Sequence, residues 1–134
     1  MDHFAGGIRG EPDMKTVLIV DDTKTNIDVL VQVLKADYKI GVSLNGKDAI
    51  QFARTHHPDL ILLDIVMPRM DGFQVCRKLK SDPDTRDIPV IFISAVDNPD
   101  HEKKCFKCGG ADYITKPFKS RDIKKKINAH ISRT

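Results

Sequence analysis

From residue 14 onward, short apolar runs alternate with amphipathic stretches. TVLIV (16–20), YKIGVS (38–43), DLILLD (59–64), IPVIFIS (88–94) and ADYIT (111–115) have strand length and are rich in aliphatic, mostly β-branched residues. Between the first two runs, KTNIDVLVQVLKA (24–36) sets Ile27, Leu30, Val31 and Leu34 at helical spacing. GKDAIQFARTH (46–56) predicts a second helix, and a third is expected over 71–80, starting near Asp71-Gly72. A very polar fourth helix runs from Pro99 to Cys108, and a fifth over 119–132 repeats Ile123, Ile127 and Ile131 every four residues. Five strand–helix repeats with nearly continuous apolar strands predict an α/β fold, a parallel sheet covered on both faces. Right-handed crossovers make it doubly wound. Residues 1–13 hold three glycines, a proline and several charges, and read as a flexible N-terminal tail or expression remnant ahead of one domain at 14–134.

Composition narrows the function classes. At 134 residues the chain can bury a single core. Lys and Arg number 22 against 19 Asp and Glu, a net charge of +3, and no long basic arm or basic–aromatic stripe is present. Direct nucleic-acid binding is therefore not expected. The longest apolar stretches fall well short of the ~20 residues a membrane span needs. The opening residues lack the apolar core of a secretory signal. Three cysteines do not suggest a disulfide framework, so a cytoplasmic location is expected.

One local oddity carries chemistry. In LILLDIVMP (60–68) a single carboxylate, Asp64, sits among aliphatic side chains. Desolvating an isolated carboxylate is costly unless it is paired or neutralised. In doubly wound folds ligands bind beyond the carboxyl ends of the strands. The first strand ends in Asp21-Asp22, the third in Asp64, the fourth in Ser94, and the fifth runs into Thr115-Lys116-Pro117. Clustered carboxylates repel unless a cation joins them, and an oxygen-only set open to water suits Mg²⁺. A lysine and a hydroxyl beside them would receive a second anion. The set describes phosphoryl transfer to an aspartate.

VDD at 20–22, LLDIVMPRMDG at 62–72, ISA at 93–95 and GADYITKPF at 110–118 together resemble the receiver domain of two-component response regulators, over essentially the whole of 14–134. The resemblance implies a flavodoxin-like (βα)5 sandwich with parallel strand order 2-1-3-4-5. It implies that Asp64 is the phosphoacceptor, served by a phosphohistidine on a histidine kinase or histidine phosphotransfer protein. Asp21, Asp22, Asp64 and the backbone carbonyl of Val66 would hold Mg²⁺, for which Mn²⁺ is a plausible substitute. Ser94 would hydrogen-bond a phosphoryl oxygen, Lys116 would pair with it, and Ala95 would leave the acid approachable. Tyr113 would be the switch aromatic, and Lys116-Pro117 would be a cis peptide. Such a domain is a phosphoacceptor switch whose only catalysis is self-directed. Val66 and Val96, two residues past Asp64 and Ser94, cannot orient a water by hydrogen bonding, so a long-lived phosphorylated form is expected. The surface of the fourth helix, fifth strand and fifth helix (His101, Glu102, Lys103, Lys104, Lys119, Arg121 and Asp122, with the lysine run) would meet an output domain or a second copy through salt-sensitive contacts.

Two other functions share parts of this pattern. A Mg-dependent phosphohydrolase of the haloacid dehalogenase type would show D-x-D at the first strand, where this chain has Asp-Asp-Thr-Lys. A flavin-binding flavodoxin-like electron carrier would carry a hydroxyl- and glycine-rich phosphate loop there instead of two acids. Other polar features have structural readings. Asp71 is a plausible helix cap, and Asp21-Asp22 could cap the next helix. His56-His57 read as a solvated corner, and Lys124-Lys125-Lys126 as the wet side of the last helix. His101, Cys105 and Cys108 share one helical face, but structural zinc uses four ligands and a redox C-x-x-C opens a helix, so neither role is expected.

Overall fold

The computed structural model describes residues 4–5, 14–95 and 98–131. The strands are β1 (Phe4–Ala5), β2 (Thr16–Val20), β3 (Lys39–Ser43), β4 (Leu60–Asp64), β5 (Val90–Ser94) and β6 (Asp112–Thr115). The helices are α1 (Lys24–Leu34), α2 (Gly46–His56), α3 (Gly72–Ser81), α4 (Pro99–Lys107) and α5 (Ser120–His130). Strands pair in the order β1-β3-β2-β4-β5-β6. β2 to β6 are all parallel, and by themselves they follow the expected order 2-1-3-4-5. Within the segment read as a tail, Phe4–Ala5 pair antiparallel with Gly41 and Ile40 and add an edge strand.

Alternation along each strand splits the core in two. Leu18, Val20, Ile61, Leu63 and Phe92 face α2, α3 and α4, packing on Ala49, Phe52, Val75 and Leu79. Val17, Ile19, Leu62, Ile91 and Ile93 face α1 and α5, packing on Ile27, Leu30, Leu34, Ile123 and Ile127. Each fully buried Leu or Ile contributes about 1.5–3 kcal/mol. The expected four-residue isoleucine period of the last helix is the stripe that seats α5 on the sheet.

Element ends follow local chemistry. Asn45 caps α2 by accepting from the Asp48 N–H at 2.8 Å, and Asn98 caps α4 with Pro99 in its first turn. Asp71 and Gln74 form a reciprocal capping box on α3, as the sequence led us to expect for Asp71. β5 starts at Val90 rather than 88, because Ile88 closes the preceding turn through Thr85 and Pro89 has no N–H to donate. The Lys124–Lys126 run is less wet than expected: Lys124 reaches Asp37 at 3.2 Å and Lys126 reaches Asp112 at 3.1 Å. Among the described residues no helix is long and apolar enough to cross a membrane.

Candidate functional site

Strand register brings the predicted residues to one edge. Val20 pairs with Leu63, Asp64 with Ile93, and Ser94 with Thr115, so the exits of β2, β4, β5 and β6 stand side by side. Asp21, Asp22 and Asp64 each offer a carboxylate oxygen within 4.8 Å of the other two. Among the described residues this is the only such grouping of His, Cys, Asp or Glu; His101, Cys105 and Cys108 do not form one. Ser94 is 1% exposed at the end of β5. The Lys116 N–H donates to the Ser94 carbonyl at 2.7 Å, and the Lys116–Pro117 bond is cis.

Each acid is held differently. Asp21 is 2% exposed. Its N–H donates to the Ser43 carbonyl at 3.2 Å, and its Oδ1 accepts from the Thr23 N–H at 2.9 Å. Its Oδ2 lies 3.6 Å from Lys116 Nζ. Thr23 rather than either acid occupies the N-cap position of α1, without a side-chain cap bond, so the capping alternative for Asp21-Asp22 fails. Asp22 is exposed, and Asp64 half-buried. Burial, then the charge of Asp21, push the Asp64 carboxyl up to about 6; Lys116 and the Val66 N–H pull the other way, and Asp22 adds to the rise.

The loop after Asp64 is built for close approach. A Cβ on Gly72 would clash with the Asp64 carbonyl oxygen and lie 2.8 Å from Ile65 Cα. Only glycine lets the start of α3 return this near, where the Gly72 N–H donates to the Ile65 carbonyl at 2.8 Å. Arg69, at φ 69°, takes the left-handed conformation inside the turn. Val66 is left 67% exposed at the rim of the cluster. Val96, its expected counterpart past Ser94, lies outside the described residues. Tyr113 is buried on β6 and packs with the α3 and α4 side chains.

Thr23 was not singled out in the sequence, although its N–H holds Asp21; the signal was a residue two past an acid at a strand exit, the spacing of an Asx turn. Chemically, the cleft offers three carboxylates against one ammonium. This hard, oxygen-only set fits a divalent cation, which would offset the burial and the Asp21 charge that raise the Asp64 carboxyl.

Comparison with known proteins agrees with this geometry. The family model of the response regulator receiver domain matches residues 17–128. The chain is 44% identical to the response regulator PleD of Caulobacter vibrioides over 76% of its own length and 23% of PleD. It is 38% identical to the protein PilH of Pseudomonas aeruginosa, over 87% of its own length and 97% of PilH. It thus spans under a quarter of PleD and nearly all of PilH. Among solved structures, a response regulator from Chloroflexus aurantiacus superposes with a TM-score of 0.86 at 28% identity, covering 90% of this chain and 99% of that one. The receiver domain of sensor histidine kinase PA1611 from Pseudomonas aeruginosa has a magnesium ion coordinated in its active-site cleft. It superposes with a TM-score of 0.81 at 25% identity, covering 87% and 97% of the two chains. The phosphohydrolase and electron-carrier alternatives are not favoured. Sequence and fold agree that this chain belongs to the response regulator receiver family and is a receiver of two-component signal transduction.

Proposed function

We propose that Asp64 is the phosphoacceptor and that a histidine kinase or histidine phosphotransfer protein is the donor. The observation that carries this is the Asp64 carboxylate itself, at a strand exit, grouped with two further acids and under the influence of Lys116. An Asp64 oxygen attacks the phosphorus of a phosphohistidine; the P–N bond breaks, and the partner's imidazole leaves. Lys116 pairs with one phosphoryl oxygen as a point charge, and the Ser94 hydroxyl donates to another. Asp21, Asp22, Asp64 and the Val66 carbonyl would hold Mg²⁺, with Mn²⁺ as a substitute. When bound, the metal neutralises the acids and the charge on the phosphoryl oxygens. Transfer requires the ionised form of Asp64, so relief of its raised pKa by a cation and by Lys116 favours the nucleophile.

Occupancy of Asp64 then biases a pre-existing equilibrium through Ser94 and Tyr113. The readout surface is the α4–β6–α5 face, turned toward an output domain or a second copy in the cytoplasm. A groove of about 660 Å³ there, lined by Tyr113, Thr115, Phe118, Lys119 and Asp122 among others, supports that assignment. Beyond its own phosphorylation and slow dephosphorylation the domain is a switch rather than an enzyme.

Intact-mass analysis with acetyl phosphate, or with a phosphorylated histidine phosphotransfer protein, tests the reading. One added phosphoryl group that requires both Mg²⁺ and Asp64 is expected. An adduct of equal yield in Asp64→Asn, or on another residue, would overturn it.

A further inference from the structure

On the face of the molecule formed by α3 and the end of α4, the structure groups all three cysteines. Cys76 and Cys105 are each 0% exposed, whereas Cys108 is half-buried at the C-cap of α4. The Cys76 thiol donates to the Cys108 carbonyl at 3.4 Å, which ties the two helices together. Cys108 Sγ accepts from the Arg77 guanidinium at 3.6 Å. It opens onto a recess of about 280 Å³ lined by Arg77, Lys104, Lys107 and Cys108. The other three residues that line this recess are all cations. Lys104 Nζ also lies over the Phe73 ring, 4.6 Å from its centroid.

We infer that Cys108 is a thiol–disulfide exchange site for anionic low-molecular-weight disulfides of the glutathione type. Arg77, Lys104 and Lys107 would receive the carboxylates of such a molecule while its disulfide meets Sγ. The Cys108 thiol loses its proton to solvent, and the thiolate attacks one sulfur of the incoming disulfide. That S–S bond breaks, a new one forms to Cys108, and the departing thiolate takes up a proton. Cys108 is oxidised and the released half is reduced, so the small disulfide is the only oxidant the step needs.

The recess also explains why the product stops at the mixed disulfide. A resolving thiol would have to be both accessible and ionised. Burial pushes the Cys76 thiol up to about 11 and the Cys105 thiol up to about 12, so neither supplies thiolate at neutral pH. This differs from the dithiol reading of Cys105-Phe-Lys-Cys108 that the sequence already disfavours. The partner that matters to Cys108 is Arg77, 31 residues away in the chain.

The full chain, reduced and then incubated with oxidised glutathione, with neutral bis(2-hydroxyethyl) disulfide or with cationic cystamine, provides the test. Mass mapping should find one glutathione on the Cys108 peptide and none in Cys108→Ser. Oxidised glutathione should react roughly tenfold faster than cystamine at low salt. The preference should shrink as salt screens the recess, and in a Lys104→Gln, Lys107→Gln double variant. Equal rates for the anionic and cationic disulfides in the unaltered protein would overturn the inference. So would modification of Cys76 or Cys105, or an intrachain disulfide seen as a loss of two hydrogens.

Discussion

Asp64 and Asp112 are half-buried aspartates at opposite edges of the parallel sheet, Asp64 closing β4 and Asp112 opening β6. Their carboxyls are displaced in opposite directions. Burial alone would raise Asp112, but the Tyr113 N–H at 2.8 Å, Lys126 at 3.1 Å and His130 at 3.0 Å outweigh it and hold the carboxyl below its usual range. Asp64 has burial and Asp21 working together against its charge, and its pKa rises to about 6. Residue type and burial do not separate the two; the company does. At the amino edge of the sheet the charge is satisfied by the chain itself and ties α5 to β6. At the carboxyl edge it is left under-compensated, which suits the proposed role of a site that takes a cation and a phosphoryl group.

The sharpest way to break this contrast is to remove each carboxyl and ask for phosphoryl uptake. Asp64→Asn should abolish the Mg²⁺-dependent adduct, and Asp112→Asn should leave it in place, both read by intact mass. Loss of uptake in both would mean that the Asp112 cluster takes part in the chemistry. Next in size is the backbone that supports the acid edge. Gly72→Ala drives a methyl into the carbonyl of Asp64 and toward Ile65 Cα, both main-chain atoms that cannot swing aside. A loss of on the order of 3 kcal/mol, measured by urea unfolding, is expected. A loss below about 1 kcal/mol would show that the loop yields.

Stability against pH separates the two acids more finely. Measured with chelator present, Asp64 has a folded pKa above its unfolded value of ~3.9. The neutral form is thus favoured in the fold: its contribution is complete below that value and is lost as pH rises through about 6. Asp64→Asn should therefore stabilise the metal-free protein at neutral pH, by on the order of 1–2 kcal/mol after allowance for screening, with the gain fading toward pH 4. Asp112 has the opposite sign. Its lowered pKa supplies stability that is present above the unfolded value and is lost as pH falls through it to the folded one. Asp112→Asn should cost about 1–2 kcal/mol at neutral pH, and the cost should vanish in acid. Denaturant midpoints for the three proteins across pH 3–8 check both curves, and parallel curves would dissolve the comparison.

The same contrast explains what the sequence made legible. Runs such as IPVIFIS announce a buried strand because both faces of a covered parallel sheet must be apolar. Asp64 stood out because a charge interrupts such a run, and the strand-exit motifs then pointed to Asp21, Ser94 and Lys116. The Asp112 cluster announced itself by nothing. Its side-chain partners lie 14 and 18 residues away, and Lys126 and His130 look like the ordinary wet side of a helix until α5 docks. Cys76 and Arg77 were hidden from Cys108 for the same reason, since contacts between α3 and the end of α4 leave no periodic trace. Gly72 was visible as a residue but not as a need; only the return of α3 onto Ile65 shows why no larger side chain fits.

The smallest expected effect concerns water rather than charge. Val66 is 67% exposed, directly in the loop that follows Asp64, where a polar side chain would stand free to hold a water against a phosphorylated Asp64. Valine has no donor or acceptor to do so, which removes one means of orienting the attacking water for hydrolysis. Val66→Asn restores that capacity at a position whose exposure keeps the stability change within about 0.5 kcal/mol. It should shorten the lifetime of the phosphorylated protein by roughly threefold to tenfold, about 1 kcal/mol in barrier height. Decay of the phosphorylated mass after removal of the donor gives the lifetime directly. Phe106→Asn, at an equally apolar and 47% exposed position in the last turn of α4, serves as the control and should leave decay unchanged. If Val66→Asn decays no faster than the unaltered chain, the exposed valine does not set the lifetime. The charge balance around Asp64 would then govern how long the proposed phosphorylated form lasts.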